Sequence, residues 1–136
     1  MSYAERMLHA YPDQSIANVE ALAACIDACA DCAQACTACA DTCLCEREVQ
    51  SLIRCIRLDL DCADICVATG AVLSRQTAFD ASLARALLQA CASACKVCGH
   101  ECEMHAQHGM EHCRICAEAC HRCEAACQEA LTALAA

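Results

Sequence analysis

The sequence has no tryptophan, one phenylalanine, two tyrosines, one proline and three glycines in 136 residues. With aromatics, turn formers and β-branched residues this scarce and alanine this common, strands and tight turns have little to be built from, and helix is favoured. Basic residues are few as well: nine Lys and Arg against eighteen Asp and Glu give a formal charge of −9 and a pI near 4.9. Neutralising a phosphate backbone needs clustered Lys and Arg, so nucleic-acid binding is excluded and a cationic partner suits the chain better. The amino-terminal MSYAERMLHAYPDQS lacks the basic and apolar regions of a secretory signal. No apolar run approaches the ~20 residues of a membrane-spanning helix, so the expectation is a cytosolic protein without membrane contact.

What is abundant is cysteine, nineteen residues in all. Fifteen of them recur at alternating steps of four and three: Cys25, Cys29, Cys32, Cys36, Cys39 and Cys43; Cys91, Cys95, Cys98 and Cys102; Cys113, Cys116, Cys120, Cys123 and Cys127. This is the spacing of one face of an α-helix. Thiols thus stand where a bundle helix normally carries Leu or Ile. The count is odd and the segments are helical, unlike a disulfide-stapled secreted domain. Cysteines three or four apart on one helix have Cβ atoms about 5–6 Å apart, beyond the roughly 3.5–4.5 Å of a relaxed disulfide.

The expected fold is all-α: an antiparallel up-down four-helix bundle with a Cys-lined core and a short extra amino-terminal helix. It forms a single domain over residues 1–136, with the short helix at about 3–10, stopped by Pro12, and the bundle at about 14–132. Asp13 or Ser15 is the expected cap of the first long helix, which ends near Leu44 to Arg47. The second runs from about Glu48 to Ala71 and carries Leu52, Cys55, Asp59, Cys62 and Cys66, so that Asp59 occupies a thiol position. Thr77 with Asp80 resembles an acidic capping box for the third helix, and Gly109 is the break before the fourth. Short connections imply antiparallel neighbours. One end of the bundle then collects Leu22, Val19, Leu73, Phe79, Leu83, Leu87, Leu131 and Leu134 as an apolar plug. The other collects Cys43, Cys45, Met104, His105, His108, Met110 and His112, which are exchangeable ligands.

Soft thiolates select Cu(I), Zn(II) or iron–sulfur clusters. Structural zinc wants isolated tetrahedra folded by knuckles, whereas Cu(I) accepts two or three sulfurs and bridging thiolates, which CxxxC pairs on successive turns supply. The thiols from Cys25 to Cys43 extend over about 27 Å. Buried charge must be balanced. One Cu(I) per thiolate is neutral, while four thiolates per Zn(II) leave two excess negative charges that a core poor in Lys and Arg cannot offset. The capacity is therefore on the order of one Cu(I) per cysteine. A single cysteine is as readily small apolar filling, but no packing need selects Cys over Ala, Val and Leu at so many successive inward positions.

Among the other polar residues, His9 and His100 read as solvated surface and His121 as peripheral. His105, His108 and His112 lie at the ligand-rich end and read as an uptake set. Met104 and Met110 read equally as relay ligands or gap fillers, and Asp59 as a metal ligand or an acid that stays protonated without metal.

This ladder of CxxxC pairs on four helices resembles the bacterial copper storage proteins, in particular their cytosolic branch, over about residues 15 to 132. The resemblance implies a four-helix bundle that stores many Cu(I) ions along its core, assembles into a homotetramer and admits copper through histidines at its mouth, here His105, His108 and His112. The expected function is cytosolic copper storage and buffering without catalysis, with copper exchanged with a chaperone or a small-molecule thiol. The competing readings are a zinc or iron–sulfur carrier and a thiol–disulfide redox protein, although the CxxC spacings follow automatically from the four-three alternation and no βαβ context accompanies them.

Overall fold

A computed structural model describes residues 1–13 and 15–135. Five helices appear in the order α1 (Tyr3–His9), α2 (Val19–Cys43), α3 (Ile53–Leu73), α4 (Ala81–Ala106) and α5 (Glu111–Ala135), with a 3-10 turn at Val49–Leu52 leading into α3. The long helices α2 to α5 form a ring in which α2 packs on α3 and α5, α4 packs on α5 and α3, and α1 lies against α2. Sulfur register gives the directions. Cys25 meets Cys127, Cys32 meets Cys120 and Cys39 meets Cys113, so α2 and α5 are antiparallel. Cys55 meets Cys102, Cys62 meets Cys95 and Cys66 meets Cys91, so α3 and α4 are too. The expected up-down four-helix bundle with a short additional helix is what forms.

Local chemistry accounts for most boundaries. Ser2 Oγ accepts from the Glu5 amide and caps α1, which stops at Ala10, two residues before Pro12. Gly109, at φ 87°, turns the chain from α4 into α5, a conformation that glycine adopts without the penalty of a Cβ.

Three boundaries differ from expectation. Neither Asp13 nor Ser15 caps α2. Asp13 Oδ1 accepts the Ser15 amide in a local turn, and the helix begins after Asn18, which is left-handed (φ 59°) and donates its side-chain amide to the Ala133 carbonyl. Tertiary docking of the two chain ends overrides the capping signal. The bundle start expected at about residue 14 falls outside the described residues, as does residue 136. Thr77 does not cap α4. Asp80 does so itself, accepting the Leu83 amide at 2.9 Å, and the helix therefore starts three residues later. A 3-10 turn replaces the first turn expected of α3.

The core is mostly sulfur and small carbon. Cys and Ala fill its length, with Leu8, Leu22, Leu52, Leu73 and Leu88 at its periphery and ends. At the apolar end Leu22 and Leu73 are buried, and Val19, Phe79, Leu87, Leu131 and Leu134 are half-buried. Leu83 is 61% exposed and does not join the plug, because it lies on the opposite flank of α4 from Ala84 and Leu88. Helix α2 is long and apolar enough, by length and composition, to cross a membrane, which corrects the expectation that no such run exists. Cysteine counts as apolar in that measure, and half of the segment is buried in the bundle.

Candidate metal centre

Inward positions three and four residues apart repeat on all four long helices, and the residues beside them are often alanines such as Ala28, Ala33, Ala63, Ala92 and Ala117. Small flanking residues let the helices approach closely, so the thiols meet across the bundle axis. Eighteen of the nineteen cysteines are buried, and all nineteen are free thiols.

The sulfurs form a continuous chain. At the apolar end Cys25 and Cys127 lie 3.8 Å apart, and Cys29 contacts Cys123 at 3.7 Å and Cys91 at 4.0 Å. Midway, Cys32 meets Cys120 at 3.8 Å and both Cys62 and Cys95 at 4.0 Å. Farther along, Cys36 meets Cys120 at 3.6 Å and Cys116 at 3.7 Å. Towards the far end Cys55 meets Cys102, and Cys39 meets Cys113, each at 3.8 Å. The ligand atoms gather into sets of four within 4.8 Å of one another, including Cys29, Cys91, Cys123 and Cys127; Cys32, Cys62, Cys66 and Cys95; and Cys36, Cys98, Cys116 and Cys120. Cys32, Cys62, Cys36 and Cys120 each belong to two sets. Sharing a sulfur between adjacent sets is the geometry of bridging thiolates. Sulfurs this far apart are not bonded, since an S–S bond is about 2.05 Å long.

Packing thiols together divides their acidities. Hydrogen bonding with Cys127, and next with Cys29, holds Cys25 down to about 5, while its partner Cys29 is pushed up, chiefly through Cys123 and Cys127. Burial raises Cys43 above the ordinary thiol range, reinforced by the negative charge of Cys55, Cys113 and Asp59. Some thiols in the metal-free tube are thus poised to ionise at the expense of their neighbours, and releasing the remaining protons requires an incoming cation.

Asp59 is the only carboxylate among the fully buried side chains described, at 0% exposure. Its Oδ1 accepts from Cys98 at 3.1 Å, Cys116 at 3.3 Å and Cys102 at 3.6 Å, and Oδ2 lies 3.9 Å from Cys55. Burial, and next the charge of Cys116, push it up to about 8, so the metal-free tube holds it largely protonated at neutral pH.

The far end separates the three expected histidines. His112 Nδ1 reaches Cys39 Sγ at 3.3 Å and Cys113 Sγ at 3.6 Å, and with Cys43 these residues form a four-ligand set. Its Nε2 is buried without a hydrogen-bond partner, 3.8 Å from a Glu46 carboxylate oxygen. His105 instead bonds Glu101 at 2.8 Å, which in turn pairs with Arg54 at 3.2 Å. His108 is exposed and shares with His105, Met104 and Met110 a surface cavity of ≈ 450 Å³ that Glu48 and Ser51 close. Cys45 is exposed at the same end. Only His112, of the three, is joined to the sulfur chain by a described contact. The partners Glu101, Arg54 and Glu46 were not identified from sequence. The i,i+4 spacing of Glu101 and His105 was the one available signal, while Arg54 and Glu46 are brought there by tertiary packing.

Comparison with known proteins places this geometry. The family model described as copper storage protein matches residues 18–132. No curated protein matches the chain. A structure of the copper storage protein Ccsp from Streptomyces lividans, loaded with 10 copper equivalents, superposes with a TM-score of 0.92 at 56% identity, covering 96% of this chain and 98% of that one. A second, of the cytosolic copper storage protein from Streptomyces lividans with five coppers, gives a TM-score of 0.81 at 62% identity over 83% of this chain and 93% of that one. The Cu(I)-bound copper storage protein BsCsp3 matches with a TM-score of 0.67 at 40% identity, covering 77% of this chain and 92% of that one.

Proposed function

The chain belongs to the copper storage protein family, and we propose that it stores and buffers Cu(I) as cargo on the thiolates lining its bundle. The observation that carries this reading is the column of sulfur contacts and four-ligand sets that runs from Cys25 and Cys127, past Cys36, Cys116 and Asp59, to Cys39 and Cys113, with sulfurs shared between sets at its middle. The ligands are the eighteen buried cysteines, with Asp59 as an oxygen donor among Cys98, Cys102 and Cys116. Exposed Cys45 and the groove bearing Met104, His105, His108 and Met110 receive copper, and His112 passes it to Cys39, Cys43 and Cys113.

Charge favours copper over zinc. The buried polar or charged residues described are Asp59, Thr69 and Glu101, so no buried cation is at hand to offset zinc tetrathiolates, whereas one Cu(I) per thiolate is neutral. Zinc or iron–sulfur carriage and thiol–disulfide chemistry are therefore disfavoured. The role is storage rather than catalysis: the thiols lie inside the bundle, away from any substrate larger than an ion. The Streptomyces lividans relative is described as cytosolic, and the same compartment suits free thiols. Copper chaperones or small-molecule thiols are the exchange partners at the mouth. Assembly into a homotetramer rests on the family resemblance and on the exposed stripe Ile53, Leu60 and Val67 along α3.

The test is an anaerobic titration of the reduced, metal-free protein with Cu(I). Saturation near eighteen ions per chain, one per buried thiol, with thiolate-to-copper charge-transfer absorption is the expected result. Saturation at one or two ions would overturn the storage reading, and displacement of the bound copper by Zn(II) would favour the carrier.

A further inference from the structure

Outside the thiol tube, α4 and α5 carry the same four-residue pattern, His-x-Cys-Glu: His100 to Glu103 and His121 to Glu124. In each, the cysteine, Cys102 or Cys123, is fully buried. Helical periodicity then places the histidine and the glutamate, three apart, on one flank. Helices α4 and α5 are neighbours, and these flanks meet.

His121 sits between them. Its Nε2 is bonded to Glu103 Oε1, its Nδ1 lies 3.7 Å from Glu124 Oε1, and its ring centroid is 6.0 Å from that of His100. The ring rests in a notch in α4. A Cβ on Gly99 would lie 2.8 Å from His121 Cε1 and 3.2 Å from each ring nitrogen. Glycine inside a helix costs about 0.5–1 kcal/mol relative to alanine, and the seat of this ring accounts for its presence.

We propose that His100, Glu103, His121 and Glu124 form a second metal site, on the outside of the bundle, for one divalent first-row transition ion, with Zn(II) the best match. The donor set is two imidazole nitrogens and two carboxylate oxygens, which suits a borderline divalent ion and contrasts with the soft, all-sulfur surroundings that suit Cu(I). Two neutral imidazoles and two carboxylates balance a double positive charge. Two imidazoles on one tetrahedral ion at about 2.0–2.1 Å put their ring centroids about 5 Å apart, so the two rings, 6.0 Å apart without an ion, need to close by only about 1 Å to share one. Glu103 is already turned to His121 Nε2, so binding needs the ion to replace the shared proton there and the side chains of His100 and Glu124 to swing onto it. Glu124, 3.7 Å from His121 Nδ1 and not hydrogen-bonded to it, is the ligand least engaged beforehand and the one whose loss costs least.

The experiment uses protein loaded with Cu(I), so that the thiols are occupied, and rests on the storage reading for that step alone. Calorimetric titration with Zn(II) is expected to show one ion per chain. His100→Ala, His121→Ala and Glu103→Gln should each weaken it about tenfold or more, and Glu124→Gln should weaken it less. Gly99→Ala, which displaces the ring and removes no donor, weakens it as well. Co(II) in place of Zn(II) should give ligand-field bands without sulfur charge transfer. Unchanged Zn(II) affinity in His121→Ala, or sulfur charge transfer from Co(II), would overturn the proposal. Should a variant fail to fold, anomalous scattering from wild-type crystals soaked in Zn(II) decides: a peak among the four side chains supports the site, and peaks only elsewhere refute it. Cu(I) capacity is read on the same samples. Low capacity marks failure of the storage reading, while full capacity without Zn(II) binding marks failure of this one.

Discussion

Asp59→Asn isolates the one carboxylate in the sulfur tube. Asp59 is 0% exposed, accepts from Cys98 at 3.1 Å and Cys116 at 3.3 Å, and is raised from an ordinary 3.8 to about 8 by burial first and by the charge of Cys116 next. For an acid raised on folding, the native state binds the extra proton between these two values. The stabilising contribution is therefore complete below about pH 3.8 and is lost as pH climbs towards 8. At about 1.36 kcal/mol per pK unit, the loss is on the order of 4 kcal/mol by pH 7 and levels off near 6 kcal/mol above pH 8. Asparagine keeps the shape and carries no charge at any pH. The thiols titrate in both proteins and largely cancel in the difference. Urea unfolding of reduced, metal-free wild type and Asp59→Asn, run anaerobically from pH 4 to 8.5, should show Asp59→Asn gaining about 4 kcal/mol relative to wild type between pH 4 and 7. Parallel stability curves would refute the assignment of a buried, protonated Asp59.

Other perturbations probe the tube and its mouth. His112→Ala should slow Cu(I) loading, measured by stopped-flow growth of charge-transfer absorption, while leaving capacity within one ion. His105→Ala, held by Glu101 and Arg54, should slow loading less. Cys45→Ser should leave capacity unchanged because Cys45 is exposed, whereas Cys36→Ser removes a sulfur that contacts Cys32, Cys98, Cys116 and Cys120 and should lower the titrated stoichiometry. Filling the tube ties all four long helices together, so thermal unfolding should move upward on loading and return after removal with a Cu(I) chelator. Leu88→Ala, fully buried near the apolar end, should cost about 2–5 kcal/mol of stability without changing copper stoichiometry.

The sequence by itself determined the helices and the nature of their buried face. Period 3.6 is written directly in the four-three cysteine spacing, and alanine flanks and missing turn formers leave no competing architecture. Asp59 announced itself as a carboxylate in a thiol register, and Gly109 as a break, because each acts through its own chain neighbourhood. Capping was less legible. Asp13 and Thr77 have the right side chains, but Asn18 bonding to Ala133 and Asp80 taking the cap at Leu83 depend on where the helices dock. Only the tertiary structure decided which thiols share a site. Cys32 meets Cys62, Cys95 and Cys120 from three other helices, and no spacing within one helix encodes that meeting. It likewise divided three histidines of similar promise, setting His112 against Cys39 and Cys113, His105 against Glu101, and His108 in a surface cavity. It also brought His100, Glu103, His121 and Glu124 to one seam. Periodicity is a property of one helix and can be read along the chain, whereas a metal site is a coincidence of several helices, fixed only when they pack.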